Sequence, residues 1–207
     1  MNLHDHRTSY NKSELSEDII QSDPFDQFML WYKDVQLSSI REANAMVLAT
    51  ASAEGKPSAR VVLLKEVNER GFVFYSNYGS RKGKEIAQNP QAQLLFFWDD
   101  LERQIRIEGR LERVSAEESD KYFYSRPVES QHGAMISAQS SEIPSREYLE
   151  KQLEAAKKEK PVRPENWGGY VLIPDYFEFW QGRPSRLHDR IFYEANGDNW
   201  RIGRLAP

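Results

Sequence analysis

Several groups of basic and hydroxyl side chains are spaced as an anion site would need them. In Ser80-Arg81-Lys82-Gly83-Lys84 two cations open a predicted short helix, where unpaired N–H groups and the positive end of the helix dipole normally favour acidic residues. A bound phosphate reconciles the pattern, because Arg81, Lys82, the Ser80 hydroxyl and the unpaired amides would converge on one anion. The plain alternative is that both side chains point into water. Arg60 and Lys65 bracket the apolar run Val61 to Leu64. Strict strand alternation puts them on opposite faces. A shared ligand then requires a bulge, a strong twist, a sheet edge or a subunit interface; otherwise they are the solvated ends of a core strand.

Tyr122 and Arg126 are four apart on a predicted helix and Ser130 follows the break, so two hydroxyls and a guanidinium could form a second phosphate pocket or simple surface packing. Arg186, His188 and Arg190 recur at every second position of a strand-like run, which predicts one shared face. Three potential cations in a row suit an anion or an electron-rich ring; a neutral core histidine is the other reading of His188. His4 and His6 form a lone HxH without further ligands, which makes a metal site unexpected. The chain has no GxGxxG, GxxxxGK[ST] or GxSxG, so the usual nucleotide-binding and hydrolase fingerprints are missing.

The elements that must position these groups read as mainly β with inserted helices. The first 22 residues are polar and aperiodic, a flexible arm or short helix, and residues 23–207 read as a single domain. Asp23 and Pro24 start a helix with Phe25, Phe28, Met29, Tyr32 and Val35 or Gln36 at helical spacing. AMVLATAS, SARVVLLKEV and FVFYSNY are three strands, read as a meander, and SRKGKEIAQ is a short helix ended by Asn89 and Pro90. QAQLLFFWDD and RQIRIEGRLERV add two strands; in the latter Ile105, Ile107 and Leu111 alternate with polar residues. Ser115 and Glu118 form a capping box for a helix that Pro127 stops near Arg126. A further helix spans about Ser145 to Lys160. The chain then returns to strands in WGGYVLIP, YFEFWQG and RLHDRIFYE, with Asn196-Gly197 turning a hairpin.

Composition narrows the chemistry. The 207 residues include no cysteine, which excludes disulfides, thiolate metal sites and cysteine nucleophiles. No apolar run approaches a membrane span and the Met1 end reads HDHRTSYNKS where a secretory signal would need an apolar stretch, so a soluble, cytoplasmic protein is expected. With 28 basic against 32 acidic side chains the net charge is -4, which argues against a nucleic-acid footprint and for local anion sites. The residues alone suggest a binder of phosphorylated aromatic small molecules on a mostly β scaffold.

The motifs RVVLLK, FYSN, SRKGKE, RQIRIEG, YFYSRP, SQHGA, AQSS, WGGY, EFWQG and RLHDR, with a terminal RLAP, together resemble the pyridoxamine (pyridoxine) 5'-phosphate oxidase family over about Asp23 to Pro207. The resemblance implies an FMN-binding split β-barrel working as a homodimer with flavin at the interface. It further implies oxidation of pyridoxamine 5'-phosphate or pyridoxine 5'-phosphate to pyridoxal 5'-phosphate, with O2 as acceptor and H2O2 as product, in vitamin B6 salvage. Carried over by motif, the FMN contacts are Arg60, Val61, Val62, Leu63, Leu64 and Lys65, then Tyr75, Ser76, Arg81 and Lys82, then Gln104, Gln139, Ser140, Trp180 and Arg190. Lys65, Tyr122, Arg126 and Ser130 are implied for the substrate phosphate, with Arg186, Leu187 and His188 at its ring, Arg186 and His188 being catalytic. Arg7 and Tyr10 match the family's lid positions. The alternative is an FMN-binding relative with a different reductase or binding role. Neither metal, nucleic acid nor membrane is implied.

Overall fold

The computed structural model describes residues 1–5 and 9–207. Among the described residues nine strands form one sheet: β1 (Ala45–Ala51), β2 (Pro57–Leu63), β3 (Glu66–Asn68), β4 (Gly71–Asn77), β5 (Gln91–Trp98), β6 (Arg103–Arg113), β7 (Trp167–Gln181), β8 (Asp189–Asn196) and β9 (Asn199–Arg204). Their order is β2-β1-β5-β6-β7-β4-β3, with β8 on β7 and β9 on β8. The α-helices among the described residues are α1 (Pro24–Gln36), α2 (Arg81–Gln88), α3 (Ala116–Ser125), α4 (Val128–Ile136) and α5 (Arg146–Ala156). Among the described residues no helix is long and apolar enough to cross a membrane.

The chain divides into two compact units. The first comprises Met1–Leu48, Gln93–Gly109 and Pro174–Pro207, and the second Ala49–Ala92 and Arg110–Ile173. In the first, α1 begins where the Asp23 carboxylate accepts the amides of Phe25 and Asp26 and Pro24 supplies a preset φ. Its buried face is Gln27, Phe28, Trp31 and Val35. The expected face included Met29, which is 39% exposed, and missed Trp31; with apolar residues all around this helix, spacing alone cannot tell which side the core takes. Phe28 meets Phe96 edge-on at 5.3 Å and Trp31 meets Phe179 likewise. Each such ring contributes roughly 2–3 kcal/mol through burial.

Residues 9–22 of this unit form no helix. Leu15 is buried and its amide bonds the Asp189 carboxylate at 3.1 Å. β8 and β9 close on the expected hairpin, Asn196 opposite Asn199, with Gly197 at φ +62.

In the second unit a small core of Val73, Val114 and Val171 packs with Tyr75 and Ile173. The expected meander holds only in part: β1 neighbours β2, but the second run breaks after Leu63 and only its end, β3, meets β4. β4 pairs antiparallel with β7, Tyr75 opposite Gly169, and β3 pairs with β4, so β2 and β4 are not neighbours in the sheet order. Hydrophobic alternation marks a strand without naming its partner. β7 also runs unbroken through Pro174, where two strands were expected. Residues 167–172 pair with β4 and 176–181 with β8, so the missing proline N–H falls in the gap between the two pairings. The Ser115 and Glu118 capping box is present, and Ser80 and Ser145 cap α2 and α5. α5 stops at Ala156, earlier than the lysines beyond it suggested.

Candidate functional site

A cavity of about 570 Å³ opens in the second unit. Its charged lining is Arg60, Lys65, Lys82 and Arg126, with no carboxylate among the described residues that line it. Ser76, Ser130 and Gln139 add neutral polar groups, Tyr75 and Tyr122 add rings, and Val61, Val62 and Leu63 add apolar wall. Twelve residues expected at the site therefore lie around one space. Lining residues that the sequence reading missed are Asn77, Pro127 and Trp167. Trp167 had a signal, since it opens the WGGY motif.

β2 ends at Leu63, which explains how Arg60 and Lys65 share the cavity. Lys65 lies past the strand end, its amide bonded to the Val73 carbonyl at 2.8 Å, so strand alternation no longer dictates where it points. The Arg60 guanidinium donates to Thr50 at 2.6 Å, to Ser58, and to Glu85 at 3.3 Å.

The helix-start cations have separate fates. Arg81 pairs with Glu85 one turn along at 2.8 Å and remains largely exposed; it does not line the cavity. The Ser80 hydroxyl, fully buried, accepts from the Gly83 amide and donates to the Asn77 carbonyl, so it caps the helix and is not left for an anion. Lys82 folds inward, its ammonium donating to Ser76 at 3.0 Å and Gln139 at 2.6 Å. Burial first, and then the neighbouring Arg60 charge, push its pKa down to about 8.

Arg126 is the C-cap of α3 with extended backbone, not a helical residue four on from Tyr122, because the following proline disfavours helical geometry there. The two still converge. Tyr75 and Tyr122 stack at 3.9 Å, Trp167 lies nearly parallel to both, and the Arg126 guanidinium sits 4.9 Å from the Trp167 ring centre. Among the described residues Arg126 Nη1 is buried without a hydrogen-bond partner, and burial pulls this guanidinium's pKa down. Burial also pushes the Tyr75 phenol up to about 12, so it stays neutral. An unpaired buried donor is costly. Together with Lys82, whose partners are all neutral, it fits a phosphate ester entering this cavity. A planar conjugated ring suits the stacked aromatics and apolar wall, so the residues present fit FMN or a phosphorylated pyridine.

Of the other expected residues in this unit, Leu64 is buried away from the cavity and Ser140 is exposed at φ +72. Gln104, Trp180, Arg190, Arg186, Leu187, His188 and Tyr10 belong to the first unit, and Arg7 lies outside the described residues. The expectation that Arg186, His188 and Arg190 share one strand face fails. Pro184–Arg186 is a tight turn with Ser185 at φ +58 and Arg186 at φ +62, and β8 starts only at Asp189. Proline nucleates a turn just where alternation was assumed. His188 Nδ1 accepts the Arg183 amide at 3.1 Å, which places the neutral ring's proton on Nε2. Tyr10 stands edge-on 5.7 Å from both Trp180 and His188, and Trp180 lies 4.7 Å from His188. Trp180 is opposite Arg190 in the ladder, and Arg190 grips the buried Glu178 with two bonds of 2.8 and 3.0 Å.

Comparison with known proteins places these residues in context. Residues 33–159 match the family described as "Pyridoxamine 5'-phosphate oxidase", and residues 167–207 match "Pyridoxine 5'-phosphate oxidase C-terminal dimerisation region". The chain is 53% identical over 211 residues to a pyridoxine/pyridoxamine 5'-phosphate oxidase of Burkholderia lata, covering 99% of each chain. A Bordetella petrii protein of the same description is 53% identical over 210 residues, with both chains fully covered. Among solved structures, PhzG from Burkholderia lata 383, in complex with tetrahydrophenazine-1-carboxylic acid, superposes with a TM-score of 0.90 at 31% identity, covering 97% of this chain and all of that one. A pyridoxamine 5'-phosphate oxidase-related, FMN binding protein of Nostoc punctiforme shares the fold, with a TM-score of 0.71 at 17% identity over 91% of this chain and all of that one.

Proposed function

The chain belongs to the pyridoxamine 5'-phosphate oxidase family, and from that premise we propose that it is an FMN-dependent oxidase of pyridoxamine 5'-phosphate and pyridoxine 5'-phosphate, acting as a homodimer in vitamin B6 salvage. The observation that carries this reading is the cavity lined, among the described residues, by four cations and no carboxylate, with a buried Arg126 nitrogen that has no partner among them beside stacked aromatic rings.

In this reading Arg60, Ser76, Lys82 and Gln139 hold the flavin phosphate, and Lys65, Tyr122, Arg126 and Ser130 hold the substrate phosphate. Anchoring that phosphate fixes the pyridine ring, so reaction at C4' begins from an oriented pair. Val61 to Leu63 and the aromatic stack exclude water around the ring. By the RLHDR motif we assign Arg186 and His188, the latter through its Nε2 proton, to stabilising charge that develops on the substrate ring. Bound there, FMN would supply the redox chemistry, a two-electron acceptor for the C4' hydride with O2 as the final oxidant and hydrogen peroxide as product. An alcohol substrate also loses its hydroxyl proton and becomes the aldehyde directly. An amine substrate becomes an imine, which water cleaves to the aldehyde and ammonia.

The purified protein is expected to be yellow, and to release peroxide and pyridoxal 5'-phosphate when given pyridoxine 5'-phosphate in air. A flavin-loaded protein that leaves the vitamer untouched would sink the substrate assignment. The likeness to PhzG makes a tricyclic carboxylate the comparison substrate in the same assay. Protein that neither carries nor binds FMN overturns the reading altogether.

A further inference from the structure

We propose that Glu102 is a positioning residue for the substrate site, its buried carboxylate clamping the amino-terminal arm so that Tyr10 is seated against Trp180 and His188. The inference rests on the proposed function for what Tyr10 does, but not for how the arm is held.

Glu102 is 6% exposed. Its Oε2 accepts two successive main-chain amides of the arm, Asn11 at 2.9 Å and Lys12 at 3.1 Å. Adjacent amides on one carboxylate oxygen fix both the position and the direction of the arm, and the ionised acceptor makes each bond stronger than a neutral one. The backbone of Glu102 is committed to the same task. It lies in the left-handed region at φ 55, a conformation that side-chain-bearing residues seldom adopt, and its carbonyl accepts the Gly182 amide at 2.7 Å.

Gly182 completes the seat. A Cβ there would lie 2.8 Å from Tyr10 Cγ and 3.0 Å from Glu102 Cβ, so the ring rests where only glycine leaves room. The adjoining bonds lead the same way. The Lys12 ammonium donates to the Asp100 carbonyl, and Arg183 donates its side chain to the Ser13 carbonyl while its amide fixes His188 Nδ1. Glu102, the arm and the His188 loop thus form one hydrogen-bonded set within the first unit. A carboxylate this deeply buried needs its donors, which gives the arm a reason to dock in this register.

The test is trypsin cleavage after Lys12 in the purified, flavin-loaded protein without substrate, followed by vitamer kinetics. Glu102→Ala is expected to speed cleavage of the Lys12–Ser13 bond roughly tenfold while flavin content and melting temperature hold. It should raise KM for pyridoxine 5'-phosphate more than it lowers kcat. Gly182→Ala, which leaves the carboxylate in place and crowds the Tyr10 ring, should release the arm likewise. In Tyr10→Ala, adding Glu102→Ala should cost no further KM, because the carboxylate acts through the ring. Unchanged cleavage in both single variants overturns the proposal, and so do KM effects that multiply in full. Should the protein prove inert toward the vitamer, the cleavage rates still decide whether Glu102 holds the arm, so the two readings fail separately.

Discussion

Lys82 carries its charge where water barely reaches it, with Ser76, Ser80 and Gln139 as neutral partners and Arg60 close enough to depress its pKa to about 8. The sign of the consequence follows from the direction. Between pH 8 and the ordinary lysine value of 10.5 the unfolded chain binds more protons at this site than the folded one, so stability of the flavin-free protein should rise with pH across that window. Below it, the full cost of the buried charge is present. A bound phosphate dianion reverses the balance by favouring the ammonium. Binding of FMN to stripped protein at pH 8.5 should therefore take up protons, seen in calorimetry as a heat that depends on buffer ionisation. Lys82→Met should abolish that uptake and weaken FMN retention; a variant that takes up the same protons would assign them elsewhere. Arg126 is paired in the same logic with the substrate. Arg126→Leu is expected to raise KM for the vitamer phosphate by tenfold or more, with flavin absorbance unchanged, because its orphaned Nη1 is assigned to the substrate phosphate and not to the coenzyme.

Helix α2 carries Lys82 into the cavity, so the proposed coenzyme site depends on it, and Glu85 ties it down. Its carboxylate accepts from Thr50 on β1 and Ser58 on β2 at 2.6 Å each, and pairs with Arg60 and Arg81. Burial works to raise the pKa of this carboxyl, but the bonds from Ser58, Thr50 and Arg81 outweigh it and hold it at about 2. The stabilisation is present above the ordinary value of 4.5 and is lost as pH falls through about 2. Glu85→Leu should cost about 3 kcal/mol near neutral pH and flatten the acid limb of a stability profile measured by urea titration. An unchanged acid limb would show that other carboxylates govern it.

This helix also shows how far sequence carried. Its start, its cap and its oddly placed cations were legible, because capping chemistry is local. Glu85, which neutralises Arg81, sat four residues away in plain view, yet its tie to Thr50 and Ser58 depends on strands far off in sequence. The same division runs through the molecule. The Ser115 box, the Asp23 cap and the Asn196-Gly197 hairpin were readable from neighbours in sequence, whereas the pairing of β4 with β7, the turn at Ser185 and the buried side of α1 depend on distant partners. Of the cavity lining, Arg60, Lys65, Lys82, Tyr122, Arg126 and Ser130 were legible from residue type and spacing. Trp167 and Asn77 were not, since an aromatic beside two glycines and an asparagine before a turn have many commoner uses.

At the scale of the whole molecule, the net charge of -4 coexists with a cavity that concentrates cations, so ligand attraction is local and screened within a Debye length of about 8 Å. Val61 lines that cavity yet is 66% exposed in the single chain. One exposed valine is ordinary by itself, but this one forms cavity wall, and the matched dimerisation region supplies a reason to expect a second copy. If a partner subunit covers this wall, oligomeric state and flavin retention are linked, because anything that binds only the assembled form stabilises it by mass action. Val61→Glu should then lower the dimer fraction in sedimentation velocity at micromolar protein and release FMN in parallel, with added FMN shifting the variant back toward dimer. Dilution of the unmodified protein should show the same coupling, flavin fluorescence rising as dimer is lost. A variant that remains dimeric while shedding its flavin would confine Val61 to the coenzyme pocket, and one that becomes monomeric yet stays yellow would separate assembly from coenzyme binding.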